Sequence, residues 1–291
     1  MPAPPDRPAA PALRDARDAL ARAEALLARG EAAAARPWLE RATRLAPNDA
    51  TLRAMLAGAL IGHDDARAAA LFAALAETVD IREIWLGLAG AEARCRRFPA
   101  AGAALARLLS RHIADDAALA LAFALSPRLD APGFCAIARD GRAGAPALVL
   151  APANPRATIA VRLDGRPLHL PAKGEAPPRL ALPPTWHTAR WLTVTADSVP
   201  LCASPIDIAA LNRLEGYVAA DGSGGLQGWA WYPGDPDADP RLCLRDADGA
   251  ARRFQARLAG ASAGVLARPR GFALTGAALA GLRPPFAVTD A

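Results

Sequence analysis

The sequence predicts a multidomain chain, α then β: an α-solenoid of short helical repeats followed by two tandem small antiparallel β-sandwich or barrel modules. The first half, up to about residue 126, is rich in Ala, Leu and Arg at helical spacing, with almost no β-branched runs. After Leu129-Asp130-Ala131-Pro132 the texture changes to short alternating runs between Gly, Pro and Asp-Gly signals. Within that second half, EGYVAADGSGGLQGWAWYPGDP at 215–236 has a worn echo at 133–155, GFCAIARDGRAGAPALVLAPANP. A chain of 291 residues is long for one hydrophobic core, so several domains are expected. The expected division is a disordered Pro/Ala leader at 1–13, helical repeats at 14–128, a first β module at 129–205, a linker at 206–215 and a second β module at 216–291.

The leader MPAPPDRPAAPA has no secretory apolar core, and no apolar run is long enough to span a membrane. Beyond it the helical pattern carries an internal period near 34 residues. In the first unit small or apolar residues fall at Ala23, Leu26, Ala35, Leu39 and Ala42, with Gly30 at the turn and Pro47-Asn48-Asp49 at the close. A second unit from Ala50 keeps Ala57, Leu60, Ala69 and Ala76, and a third from about Arg82 keeps Trp85, Ala89, Ala101 and Leu105. Pro99 and Pro37 each belong in the first turn of a second helix, where a missing N–H costs no intrahelical bond. That places the start of the second helix of unit one no earlier than about Ala34. Residues 115–126 read as a capping helix. This pattern resembles the tetratricopeptide repeat, which implies paired helices stacked into a right-handed solenoid with a concave surface for a protein or peptide. Trp38 and Trp85 are expected in the core of that stack.

The β half reads as two copies in order. Gly133-Phe134 answers Gly216-Tyr217, Asp140-Gly141 answers Asp221-Gly222, and Leu148-Val149-Leu150 answers Trp229-Ala230-Trp231. Pro152 and Pro155 answer Pro233 and Pro236 at the same spacing. Val161-Arg162-Leu163-Asp164-Gly165 answers Leu242-Cys243-Leu244 with Asp248-Gly249, each a strand entering a hairpin turn. Arg179-Leu180-Ala181-Leu182 answers Gly271-Phe272-Ala273-Leu274, and Leu192-Thr193-Val194-Thr195 answers Phe286-Ala287-Val288-Thr289. Residues 204–212 join the copies as a helical turn. Copy one turns at Ser198 and returns through Val199-Pro200-Leu201, whereas copy two reaches Asp290-Ala291, so a polypeptide continuing past that point is expected.

The net charge of +5 invites a nucleic-acid partner. Lys173 is the only lysine, acidic residues are interspersed with the arginines, and the clusters Arg94/Arg96/Arg97, Arg252/Arg253 and Arg268/Arg270 are separated in sequence. No nucleic-acid partner is therefore expected. The cysteines Cys95, Cys135, Cys202 and Cys243 show no metal-type spacing and read as free thiols of a cytoplasmic protein.

No P-loop, no HExxH and no nucleophile–histidine–acid arrangement is present, so no catalytic, metal or cofactor site is assigned. Gly222-Ser223-Gly224-Gly225 has a protease-loop order reversed and lacks a companion histidine motif. Asp235-x-Asp237-x-Asp239 opens like a calcium loop, but Pro240 stands where such a loop needs glycine, which favours a solvated acidic loop. The candidate binding residues are Trp229, Trp231 and Tyr232, with Tyr217 nearby and Arg268 and Arg270 as neighbouring cations. Trp229 and Trp231 alternate on a strand and so share a face: exposed, they form a stacking platform for a sugar or an apolar peptide; buried, they are core. Leu148 and Leu150 at the matching places of copy one favour core.

Residues 225–233 (GLQGWAWYP), Arg268-Pro269-Arg270-Gly271-Phe272 and Ser204-Pro205-Ile206-Asp207 together resemble accessory modules that precede the catalytic domain of large bacterial family 2 glycosyltransferases. The resemblance covers 133–291 and implies a catalytic domain beyond Ala291, so its nucleotide-sugar and metal residues have no counterpart here. It implies a non-catalytic accessory region that positions a partner protein or a growing surface polysaccharide. The alternatives are a stand-alone repeat scaffold for protein interaction and a carbohydrate-binding protein using the Trp229/Trp231 edge.

Overall fold

A computed structural model describes residues 10–139, 145–168, 179–257 and 266–290. The chain divides into two compact units, Met1–Leu105 and Ala106–Ala291. The division falls inside a helix, so the segment read as a helical cap groups with the β modules and not with the repeats.

The first unit holds α1 (Ala10–Ala28), α2 (Ala32–Leu45), α3 (Ala50–Leu60), α4 (Asp65–Ala76), α5 (Arg82–Arg94) and the start of α6 (Phe98–Arg111). The second and third pairs begin at Ala50 and Arg82, where the sequence period places them. Asp49 and Asp64 cap α3 and α4 by accepting hydrogen bonds from first-turn amides. Each pair turns through a left-handed residue, Gly30 (φ 77), Gly62 (φ 79) and Arg96 (φ 60); only the last costs a side chain in that conformation. Ala23, Ala35, Leu39, Ala42, Ala57, Ala69, Ala89 and Ala101 are all at most 1% exposed. These small residues let helix axes approach closely, and one core cluster from Ala23 to Ala91 runs through α1 to α5 with Trp38 packed against it. Trp85 is half-buried and donates from Nε1 to Asp80 at 2.8 Å. Gly87 of α5 sits against α4, where a Cβ would lie 2.4 Å from the Phe72 ring.

Two sequence expectations are corrected here. The leader was expected to extend to residue 13, but α1 starts at Ala10; residues 1–9 lie outside the described set. Helix α2 starts at Ala32, not near Ala34, so Pro37 lies inside the helix and cannot donate to the Ala33 carbonyl. The first turn, residues 31–34, is exposed, so water hydrates that carbonyl and the helix tolerates the proline.

The second unit opens with the end of α6 and α7 (Asp116–Leu125), capped by Asp115. It continues through β1 (Gly133–Arg139), β2 (Pro146–Pro152), β3 (Ile159–Leu163), β4 (Arg166–Pro167), β5 (Arg179–Ala181), β6 (Trp191–Ala196), β7 (Val199–Pro200), β8 (Ile206–Asp207) and α8 (Ile208–Leu211). Then follow β9 (Glu215–Ala220), β10 (Leu226–Trp231), β11 (Arg241–Arg245), β12 (Ala251–Gln255), β13 (Arg270–Leu274), α9 (Gly276–Leu279) and β14 (Ala287–Asp290). All named strands pair antiparallel, and among the described residues no sheet closes into a barrel.

The duplication is visible in the topology. Module one forms sheets β1-β2-β5 and β4-β3-β6-β7, with β8 also on β6; module two forms β13-β10-β9 and β12-β11-β14. Strand for strand, β9 to β14 repeat β1 to β6 in the same pairings. In register Val149 faces Arg179 and Ala230 faces Arg270, whereas the sequence alignment sets Arg179 against Gly271. The turns follow their residues. Asp164-Gly165 (φ 46 and 80) and Asp197-Ser198 (φ 47 and 69) are two-residue hairpin turns with positive φ at both places. Asp140-Gly141 lies outside the described residues. In module two Ala230, Leu242 and Ala256 form one core with Phe254, Phe272 and Val288, so both of its sheets share it. Residues 206–207, read as linker, pair on β6 and belong to module one, while the helical turn α8 forms as expected.

Among the described residues no helix is long and apolar enough to cross a membrane. All four cysteines are free thiols, Cys135 and Cys243 buried, Cys95 and Cys202 half-buried.

Candidate functional site

The three-stranded sheet β13-β10-β9 has two unlike faces. Gly228 and Ala230 alternate with Gln227 and Trp229 along β10, and Ala230 with Phe272 faces the module core. The other face therefore carries Tyr217, Ala219, Gln227, Trp229, Gly271 and Ala273. Tyr217 and Trp229 are directly opposite one another, and Trp229 has Gly271 on its other side. Both rings are large and in water: Tyr217 is 61% exposed and Trp229 40%. Across and along the sheet their neighbours on this face include two alanines, a glycine and one amide side chain. The result is a two-ring apolar surface with Gln227 one pair along the strand and Glu215 at the other end.

Trp231 shares the parity of Trp229 but not its surroundings. It is 6% exposed, at the strand end where the chain runs into the buried stretch Pro233–Pro236. The two tryptophans are thus divided, one on the surface and one inside. In module one the matching Leu148 and Leu150 are buried, and so is Ile137, which faces Leu148 as Tyr217 faces Trp229. Tyr232 is half-buried and its hydroxyl donates to Asp290 Oδ1 at 2.6 Å; burial and that bond push its pKa up, so it stays a protonated donor.

Arg268 and Arg270 are brought near this sheet, but their guanidinium groups are spent on the acidic loop. Arg268 Nη1 meets Asp237 at 2.6 Å, and Arg270 Nε donates to Asp239 at 2.8 Å and Nη2 to the Pro236 carbonyl at 3.0 Å. Arg270 also donates to the Arg268 carbonyl. The third carboxylate, Asp235, is buried and takes Arg139 Nε at 2.8 Å and Nη2 at 2.6 Å. The loop read as a solvated acidic stretch is instead half-buried and ion-paired, each aspartate to its own arginine. Among the described residues no group of His, Cys, Asp and Glu is arranged to hold a metal ion.

Sequence reasoning missed the partners of this loop. His112 Nδ1 donates to the Pro233 carbonyl at 3.3 Å and Ile113 N–H donates to the Gly234 carbonyl at 2.6 Å, while the adjacent Arg111 pairs with Asp207 of β8 at 2.8 Å. At Gly234 a Cβ would lie 2.6 Å from the Leu211 carbonyl, so only glycine lets the loop seat on α8. The alternate-residue spacing of Asp235, Asp237 and Asp239 against that of Arg268 and Arg270 was the available signal.

Three other aspartates do turn work. Asp221 accepts from Ser223 and Gly225 N–H, Asp164 from Arg190 and Trp191 N–H, and Asp246 from Asp248, Ala250 and Arg283 N–H. These backbone donors hold all three carboxyls below the usual carboxylate range. Ser223 therefore belongs to a glycine turn organised by Asp221. In comparison with protein-family models, curated proteins and solved structures, nothing matches this chain.

Proposed function

We propose that this chain is a non-catalytic accessory scaffold whose second β module holds a glycan against Tyr217 and Trp229. The observation that carries the reading is the paired exposure of these two rings on an otherwise small-residue sheet face. A pyranose ring has an apolar face of C–H groups and a hydroxyl rim. The first stacks on an aromatic ring, and the second suits amide and carboxylate groups such as Gln227 and Glu215. The patch is two rings wide, small for a stable protein interface, which buries about 800 Å² per partner.

The helical unit reads as a tetratricopeptide-type solenoid offering its concave surface to a protein or peptide. Its buried small residues and evenly spaced left-handed turns support this. The motif resemblance to accessory modules of family 2 glycosyltransferases supports a growing polysaccharide as the glycan and a transferase as the protein served.

The test is a glycan-array screen of the chain beside Trp229→Ala. Binding to one class of oligosaccharide that the substitution abolishes is the expected result. Binding that Trp229→Ala leaves intact, or no glycan bound at all, refutes the reading.

A further inference from the structure

The outer face of the sheet β12-β11-β14 carries a row of cations that the sequence scatters. Leu242, Phe254 and Val288 belong to the module core, and Leu244 is fully buried opposite Val288. Alternation therefore turns Arg241, Cys243 and Arg245 of β11 outward, with Arg253 and Gln255 of β12 and Thr289 of β14 beside them. Arg253 is directly opposite Cys243, midway between Arg241 and Arg245. At about 3.3 Å per residue, the three arginines stand at intervals of about 7 Å along the strand direction. All three are exposed whereas Cys243 is 4% exposed, so the face presents guanidinium groups and not the thiol. Arg252, next to Arg253 in sequence, has the inward parity and donates to the Ala278 carbonyl.

Among the described residues no carboxylate shares this face, and those nearest in the chain are engaged elsewhere. Asp239 meets Arg270, Asp248 meets Arg283, Asp246 accepts backbone N–H groups and Asp290 accepts from Tyr232. Among the described residues none of the three arginines makes an ion pair. The three strands also place no aromatic ring on this face, so the bases of a single-stranded nucleic acid have nothing to stack on. The charge is sparse beside a DNA duplex, which carries one phosphate per about 1.7 Å. A saccharide chain with one carboxylate per sugar suits it better. Arginine takes a carboxylate through two parallel N–H bonds, and Gln255 and Thr289 suit hydroxyls. In module one the outer face of β3 keeps Ala160 and Arg162 exposed although β7 and β8 pair on β6 alongside, so strands added at a sheet edge leave such a face open.

We propose that Arg241, Arg245 and Arg253 form a second binding site, for an acidic polysaccharide, that recognises charge where Tyr217 and Trp229 stack on a sugar ring. That the anion is a saccharide rests on the glycan reading above; that the ligand is an anion rests on the arginines alone. The site is separate from the two rings, which belong to the other sheet of the module.

The probe is a fluorophore-labelled oligogalacturonate titrated onto the full chain and followed by anisotropy, beside the same oligosaccharide with its carboxyls reduced to alcohols. Saturable binding of the acidic form is expected, at least about tenfold tighter than that of the reduced form. It should weaken as salt rises from about 0.01 M to about 0.15 M, where the screening length falls from about 30 Å to about 8 Å. Arg241→Gln with Arg253→Gln should weaken binding about tenfold, the sum of two exposed charge contacts. Arg241→Lys with Arg253→Lys keeps both charges and should lose less, which separates loss of charge from loss of fold. Trp229→Ala separates the two sites. Binding lost in the Gln variant but kept in Trp229→Ala supports this site even where the ring face holds no glycan; the reverse pattern overturns it. Equal binding of the reduced form, equally tight binding of oligothymidylate, or no binding of the acidic form up to about 1 mM also overturns the proposal.

Discussion

Replacing Arg270 by alanine is the sharpest probe of how module two is held together. Arg270 is 5% exposed and serves Asp239 and the carbonyls of Pro236 and Arg268 at once. Removing one partner of a buried ion pair costs about 3–5 kcal/mol. The Asp239 side chain is 39% exposed and can rehydrate when left alone, which discounts the loss to about 2–3 kcal/mol. For a module of this size the urea dependence is about 1 kcal/mol per M, so its unfolding midpoint should fall by about 2–3 M. Pulsed hydrogen exchange across a urea series reads this module alone, through peptides covering β10 to β12, because the helical unit can unfold separately. Arg270→Lys keeps the charge but not the fork, and should lose about half as much. A midpoint shift in Arg270→Ala below about 0.3 M would show that the aspartate loop is not held by this arginine.

Trp231→Ala should destabilise module two by about 3–5 kcal/mol in the same assay, and Trp229→Ala by about 1 kcal/mol or less, since only the first empties a core position. Gly87→Ala drives a methyl into the Phe72 ring and should lower the stability of the helical unit by about 1–3 kcal/mol in thermal unfolding. Pro37→Ala restores a donor inside α2 and should stabilise that unit by about 1 kcal/mol; a loss would contradict a helix beginning at Ala32. Acid unfolding should track Asp164, Asp221 and Asp246. Their folded pKa values are lowered, so their contribution is complete above the unfolded value near 4 and is lost as pH falls through the folded values. Asp246→Asn should flatten that acid limb in a pH series followed by circular dichroism.

The architecture was legible because it rests on local signals. Left-handed Gly30, the Asp49 cap, the Asp164-Gly165 turn and the alternation of β10 all act within a few residues. The duplicated modules were legible because both copies keep the same punctuation. Pro37 misled because a proline costs little where the carbonyl it leaves unpaired is hydrated, and exposure of residues 31–34 is a tertiary fact. Trp229 and Trp231 share a strand parity, so sequence assigned them one fate. Trp231 stands at the strand end beside the loop from Pro233 to Pro236, which is buried and bonded to residues 112, 113 and 139, about a hundred positions away. The aspartate–arginine ladder was hidden for the same reason: alternate spacing is visible, but which elements face each other is set by the sheets.

The most direct measurement follows the indole N–H resonances of Trp229 and Trp231 in ¹⁵N-labelled protein during titration with oligosaccharides. A glycan stacked on the exposed ring should shift Trp229 saturably and leave buried Trp231 in place. Trp229 unmoved by every glycan tested, or both indoles shifting together, would contradict a glycan site on this face.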